Sequence, residues 1–245
     1  MRRALACLAF FLLMTGAASA QSLGLDKLTG QTPGQTSAYI IQLFGLVTVL
    51  AIAPGLLMTV TSFTRFIVTF SILRSGMGMQ STPANMILTS LALFMTFYVM
   101  TPVFDRAWND GVQPLMRNEI SDVEALPRVV QPFREFMLNN VREKDLNLFA
   151  DLSRERGVDA GSGSNVDIRV LVPAFMISEL RRGFEIGFLV VIPFLVIDLV
   201  VSTITMAMGM MMLPPTVIAL PFKILFFVLI DGWNMLVGSM IRSFT

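Results

Sequence analysis

Of the chain's 35 charged side chains (18 Lys and Arg, 17 Asp and Glu), 21 lie between Asp105 and Arg169, so the flanking segments are nearly free of charge. That division limits the possible folds more than any motif does. Four apolar runs result: Tyr39 to Phe63, Asn85 to Phe104, Ile186 to Leu213 and Val217 to Met240. Each is long enough as a helix to cross a hydrocarbon layer of about 30 Å. In all, 54% of residues are hydrophobic and 14% charged, whereas about a quarter are charged in soluble domains. Such a chain is an integral membrane protein or a subunit of a very apolar assembly. Pro54-Gly55 predicts a kink in the first run, Pro193 lies inside the third and Pro221 near the start of the fourth.

The charged block has no alternating strand pattern. Val129, Val130, Phe133, Phe136, Met137 and Val141 recur at helical spacing. Asp145 to Arg156 predicts a second short helix, and residues 157–167 (GVDAGSGSNVD) read as a linker. The expected fold is an all-α membrane protein with about four long apolar helices in kinked hairpins and a small helical extramembrane domain. Its segments are a signal peptide over 1–20, a flexible mature N-terminus over 21–37, a first apolar region over 38–104, the charged domain over 105–169 and a second apolar region over 170–245.

Arg2 and Arg3 precede a short apolar stretch from Ala4 to Met14, and Ala18-Ser19-Ala20 forms a small-residue site before Gln21. This predicts a secretory signal cleaved between Ala20 and Gln21; the alternative is a retained anchor helix. The one cysteine, Cys7, would leave with the signal, and the mature chain would then have no disulfide or thiolate metal site. Lys and Arg in short loops favour the cytoplasm. On that rule Thr64 to Arg74, with Arg65 and Arg74 at its ends, is a cytoplasmic connection. Asp105 to Arg169 is then periplasmic, and the last two runs form a hairpin with its tip near Pro214-Pro215.

Asp198 stands inside the apolar string FLVIDLVVS, where an ionised carboxylate costs about 2.5–3.5 kcal/mol at the bilayer centre. Lys223 and Asp231 are eight residues apart, about two turns along one helix face. Two readings compete. One is an ion pair between helices or subunits, Asp198 or Asp231 with Lys223; the other is a proton relay, which would suit a proton-coupled secondary transporter. Glu179 and Arg182 are spaced i,i+3, and Arg181 and Glu185 i,i+4, as either a solvated helix end or an intersubunit contact. The chain has no His and no GxSxG, phosphate-loop or HExxH pattern, so no catalytic residue, cofactor or enzyme is expected. A net charge of +1 gives no basic field for nucleic acid.

Met206, Met208, Met210, Met211 and Met212 crowd around Gly209 just before Pro214-Pro215. Thioethers are soft, unbranched and adaptable. As core they would pack against neighbouring helices, and as a gate at a helix break they would form a deformable seal. A Cu(I) site lacks supporting Cys or His. Core and gate both remain open on these grounds, as does an inert scaffold that orders its partners.

Pro173 to Phe188 (PAFMISELRRGFEIGF), Ile197 to Ser202 (IDLVVS) running into Met206 to Pro215, Leu220-Pro221-Phe222-Lys223 and Asp231-Gly232-Trp233 resemble the ordered signatures of the flagellar biosynthetic FliP family. The resemblance implies a core subunit of the flagellar type III export gate, in the bacterial inner membrane at the flagellar basal body. It implies a homo-pentamer joined by the hairpin subunit FliQ and the related FliR. Their helices would be wound into a closed assembly partly raised above the lipid on the periplasmic side. The methionine loop would be a pore gasket, most directly Met210, Met211 and Met212. A larger gate subunit, the ATPase complex and unfolded flagellar export substrates would be wider partners. The virulence injectisome homologue is the alternative branch; the signal peptide and the long charged insertion favour the flagellar one.

Overall fold

The structure is a computed structural model that describes residues 43–45, 47–48, 51–52, 55, 58–79, 82–161, 163–209 and 214–244. The signal cleavage site at Ala20 and Gln21, the kink at Pro54, and Met210, Met211 and Met212 lie outside the described residues. The chain divides into two units, 1–54 and 55–245. In the first, residues 43–45, 47–48 and 51–52 are helical, and the Thr48 hydroxyl donates to the Phe44 carbonyl at 2.8 Å.

The second unit is helical throughout its regular elements. In order these are α1 (Phe63–Gly76), α2 (Asn85–Ala107), a π-helical turn (Trp108–Val112), α3 (Gln113–Met116), α4 (Asp122–Asn140), α5 (Glu143–Glu155), a 3-10 turn (Gly163–Asn165), α6 (Ile168–Ala207), α7 (Pro215–Leu229) and α8 (Gly232–Arg242). Local chemistry sets several boundaries. Glu124 reaches back to the Ser121 N–H (3.3 Å) at the start of α4. Asp167 accepts the Arg169 N–H (2.8 Å) at the start of α6. Gly209, at φ 74°, takes the left-handed conformation that closes α6, with its N–H on the Met206 carbonyl. Pro215 then opens α7 at a position where its missing N–H loses nothing.

α1 and α6 pack along one another in the same chain direction. Arg65 meets Glu179, Gly183 sits under Val68, and Gly187 under Ile72. A Cβ on Gly187 would stand 2.8 Å from the Ile72 Cδ1 and 2.9 Å from its Cβ, so the two backbones approach through a seam of small residues. Thr69 spans the seam, its hydroxyl 2.8 Å from the Arg65 carbonyl and 3.2 Å from that of Gly183. The buried face of α1 (Phe63, Phe66, Phe70, Leu73) joins Leu88, Ala92 and Met95 of α2, Phe194 of α6, Phe227 of α7 and Met240 of α8 in the main core. A second cluster unites Met137 of α4, Ala160 and Val166 with Val170, Leu171 and Phe175 of α6. The charged segment thus packs on the first turns of the apolar helix that follows it.

Two expectations meet a different outcome. Thr64 to Arg74, expected as a cytoplasmic connection, lies within α1, because Arg65 is neutralised inside the protein and does not end the apolar packing. Of the four expected apolar helices, the first lies mostly outside the described residues; among the described residues two helical stretches are long and apolar enough to cross a membrane, Asn85–Met116 and Ile168–Ala207. The last run is not one helix. It breaks at Ile230–Asp231 into α7 and α8, bent by 62°, and counts as a third span only if the bent pair is taken together. Asp231 turns the chain there with φ 51° and ψ 49°, a conformation Asp tolerates better than most residues.

Much apolar surface stays open. Phe188, Leu189 and Leu199 of α6, Phe94 and Tyr98 of α2, and Val228 and Leu229 of α7 are each at least 60% exposed. Patches of this extent mark contact with lipid or with other protein.

Candidate functional site

α6 carries most of the residues singled out by sequence. In its first third Glu179 is fully buried, and so is Arg65 of α1 opposite it. The Arg65 Nε donates to Glu179 Oε2 at 2.9 Å and its Nη2 to Oε1, a bidentate pair. The remaining Nη1 donates to the Ser243 hydroxyl at 2.7 Å and to the Ser243 carbonyl at 3.2 Å. The Phe244 ring lies 3.5 Å from the guanidinium carbon, where a cation is attracted to the ring face. Two buried charges are tolerable only when paired and hydrogen-bonded in this way. The i,i+3 pairing of Glu179 with Arg182 is therefore corrected, since both Glu179 oxygens face Arg65. The i,i+4 pair does form on the open face of the helix, Arg181 Nε to Glu185 Oε1 at 2.8 Å.

Five turns further along α6, Asp198 Oδ2 accepts from Lys223 Nζ of α7 at 2.6 Å. The same ammonium donates to the Gly76 carbonyl at the end of α1, 3.0 Å away. Lys223 is 4% exposed. One cation thus ties α1, α6 and α7 together. Asp198 Oδ1 is buried without a hydrogen-bond partner among the described residues. Asp231, the other expected partner of Lys223, is exposed at the α7–α8 bend, and the bend takes it out of the helical register the sequence implied.

Sequence reasoning missed three participants. Arg65 and Ser243 complete the first cluster. Ser178, one residue before Glu179, bonds Asp145 Oδ2 (2.7 Å) and receives the Arg142 N–H (3.1 Å), pinning the start of α5 to α6. The signal that could have found Arg65 is its place at an i,i+4 step before Thr69 on a face otherwise made of Phe63, Phe66, Phe70 and Leu73.

At the far end of α6, Met206 and Met208 are 62% and 66% exposed. They flank the last helical turn, just before Gly209 reverses the chain. At the last turn of α2, Arg106 meets Glu135 of α4 at 2.8 Å, and this bond holds the Glu135 carboxyl below its usual range. The Arg169 N–H holds Asp167 low in the same way. Among the described residues no group of three metal-type ligands converges.

Residues 46–240 match the FliP family. The chain is 63% identical over 244 residues to the flagellar biosynthetic protein FliP of Agrobacterium fabrum (strain C58 / ATCC 33970), covering 100% of both chains. It is 64% identical over 231 residues to that of Rhizobium meliloti (strain 1021), covering 94% of each. With the protein of the same name from Bacillus subtilis (strain 168) it shares 46% identity over 204 residues, 83% of this chain and 91% of the relative. The chain belongs to the FliP family.

Proposed function

We propose that this chain is a pore-forming core subunit of the flagellar type III protein export gate, and that it passes unfolded flagellar proteins across the inner membrane. The observation that carries the reading is the exposure of Met206 and Met208 where α6 ends, at the head of a methionine run that continues through Met212. Packed core methionines would be covered; these stand outward on a turn closed by Gly209. Unbranched thioethers can close around a passing chain by van der Waals contact and repack as its side chains change. The flagellar names of the relatives favour the flagellar branch over the virulence injectisome.

The open apolar faces of α2, α6 and α7 are surface for lipid and for neighbouring subunits: further copies in a pentamer, and FliQ-like and FliR-like partners. In this reading the charged segment 105–169 faces the periplasm, as the Lys and Arg distribution suggests. Energy comes from elsewhere in the apparatus, from the larger gate subunit and the ATPase complex. Bonding of Asp198 to Lys223 supports a structural ion pair over a proton relay. The test is replacement of Met210, Met211 and Met212 by Ala in the assembled complex, with ion and small-solute leak measured in vesicles. Leak is expected; a tight membrane in the assembled variant sinks the gasket.

A further inference from the structure

Ser178 fixes the start of α5 over one face of α6. Its hydroxyl receives the Arg142 N–H at 3.1 Å and donates to Asp145 Oδ2 at 2.7 Å. One turn further along that face stands Arg182, and beside it Arg181 Nε holds Glu185 Oε1 at 2.8 Å. The Glu185 carboxylate is within electrostatic reach of Arg181, Arg142 and Arg182 together, so three guanidinium groups share one patch. Their charge is not all spent. Asp145 is bound to Ser178, and Glu185 to Arg181. Arg182 also bears on Glu179, but both oxygens of that carboxylate are held by Arg65. Arg142 Nη1 is buried with no acceptor among the described residues. Three arginines against two carboxylates leave the patch positive.

The patch stands where the apolar part of α6 begins. Residues 186–207 rise about 33 Å at 1.5 Å per residue, close to the roughly 30 Å of a hydrocarbon core. Their one charge, Asp198, is paired with Lys223. Arg181, Arg182 and Glu185 fall within the turn and a half before that run, at the level of lipid headgroups. On the same face Leu189, Ile192, Val196 and Leu199 follow Glu185 at steps of four and three, and all four are exposed. An open apolar stripe thus leads away from a surplus of positive charge. A soluble anion would leave the stripe uncovered, and a zwitterionic lipid would bring a further cation to the patch. We infer that α6 and the start of α5 form a binding site for an anionic phospholipid, with its phosphate on Arg142 and Arg182 and an acyl chain along the stripe. Guanidinium groups match phosphate oxygens bidentately, and rotation of the partly exposed Arg142 side chain gives Nη1 the acceptor that it lacks. The site serves whichever leaflet borders the charged segment, and it does not depend on a role in export.

The full chain in detergent, titrated with phosphatidylglycerol or with phosphatidylcholine and read by native mass spectrometry, tests the site. The parent protein should bind phosphatidylglycerol about tenfold more tightly than phosphatidylcholine. Arg142→Gln and Arg182→Gln should each weaken phosphatidylglycerol binding about fivefold, leaving phosphatidylcholine unchanged and helix content intact by circular dichroism. Leu189→Gln with Val196→Gln should weaken both lipids. Arg182→Lys keeps the charge and should retain most of the affinity; compared with Arg182→Gln, it serves if the Arg142 variant does not fold. Inorganic phosphate at millimolar concentration should not displace the lipid. Equal binding of the two lipids, or unchanged phosphatidylglycerol binding in the glutamine variants, overturns the inference. So does displacement by inorganic phosphate, which would make the patch a site for a free anion. So does a loss of oligomer mass in the glutamine variants without any change in lipid binding, which would make these arginines a contact between subunits.

Discussion

Arg65 and Glu179 stand 114 positions apart in the chain and meet as a fully buried bidentate pair. Their meeting fixes how α1 lies on α6, since Val68 then falls on Gly183 and Ile72 on Gly187. Removing one partner leaves an uncompensated charge in a dry site, which costs about 3–5 kcal/mol. Arg65→Met or Glu179→Leu alone should each destabilise by that order, measured by thermal unfolding in detergent micelles. The double substitution should cost clearly less than the two singles added. Additive losses would mean that the two side chains do not depend on each other.

Lys223 joins Asp198 of α6 to the Gly76 carbonyl of α1. Lys223→Met strips both acceptors at once and should cost about 1.5–3 kcal/mol, the worth of a hydrogen bond to a charged group. Asp198→Asn keeps an oxygen for the ammonium and should cost less, with the main effect on subunit assembly seen by native mass. An Asp198→Asn protein that assembles normally, yet loses all proton-dependent transport, would revive the relay.

These two clusters differ in how far the sequence reveals them. A carboxylate within FLVIDLVVS needs a partner, and Lys223 is the nearest cation in an apolar run, so that pair is legible. The choice of Asp198 over Asp231 is not, because helical spacing puts Lys223 and Asp231 on one face only if the helix runs straight through Asp231. Arg65 and Glu179 each resemble ordinary helix-end charges, and Glu179 has a nearer cation in Arg182. Nothing local signals a partner 114 residues away. The same blindness made Thr64 to Arg74 read as a connection between apolar runs, with no sign that Arg65 is buried. The helical class, the charged segment's α4 periodicity and the helix break at Gly209 depend on neighbours within a few residues, and these are readable.

Glycine has opposite meanings in α6 and α8. At Gly187 an added Cβ would press on the Ile72 Cβ and Cδ1, and overpacking of a tight seam costs about 1–3 kcal/mol. At Gly238 the nearest group is the far end of Arg242, 3.4 Å away. Gly187→Ala should therefore lower the thermal midpoint. Gly238→Ala should raise it, by up to about 1 kcal/mol of helix propensity. Equal responses at both sites would show that the α1–α6 contact is looser than its geometry.

Asp167 caps α6 through the Arg169 N–H, and this bond holds its carboxyl below the ordinary aspartate value of about 3.9. A group whose acidity is increased by folding contributes its stabilisation in full above the unfolded value. The contribution falls away as the pH drops through the lower folded value, because the unfolded chain then takes up the proton first. Glu135, held low by Arg106, titrates nearby, so the comparison must be with a matched variant. Asp167→Asn keeps a good capping oxygen but has no charge to lose. The difference in thermal midpoint between the parent protein and Asp167→Asn should be constant near neutral pH and should shift against the parent below about pH 4. A difference that stays flat to the acid limit would mean that the carboxylate caps α6 no better than a neutral amide.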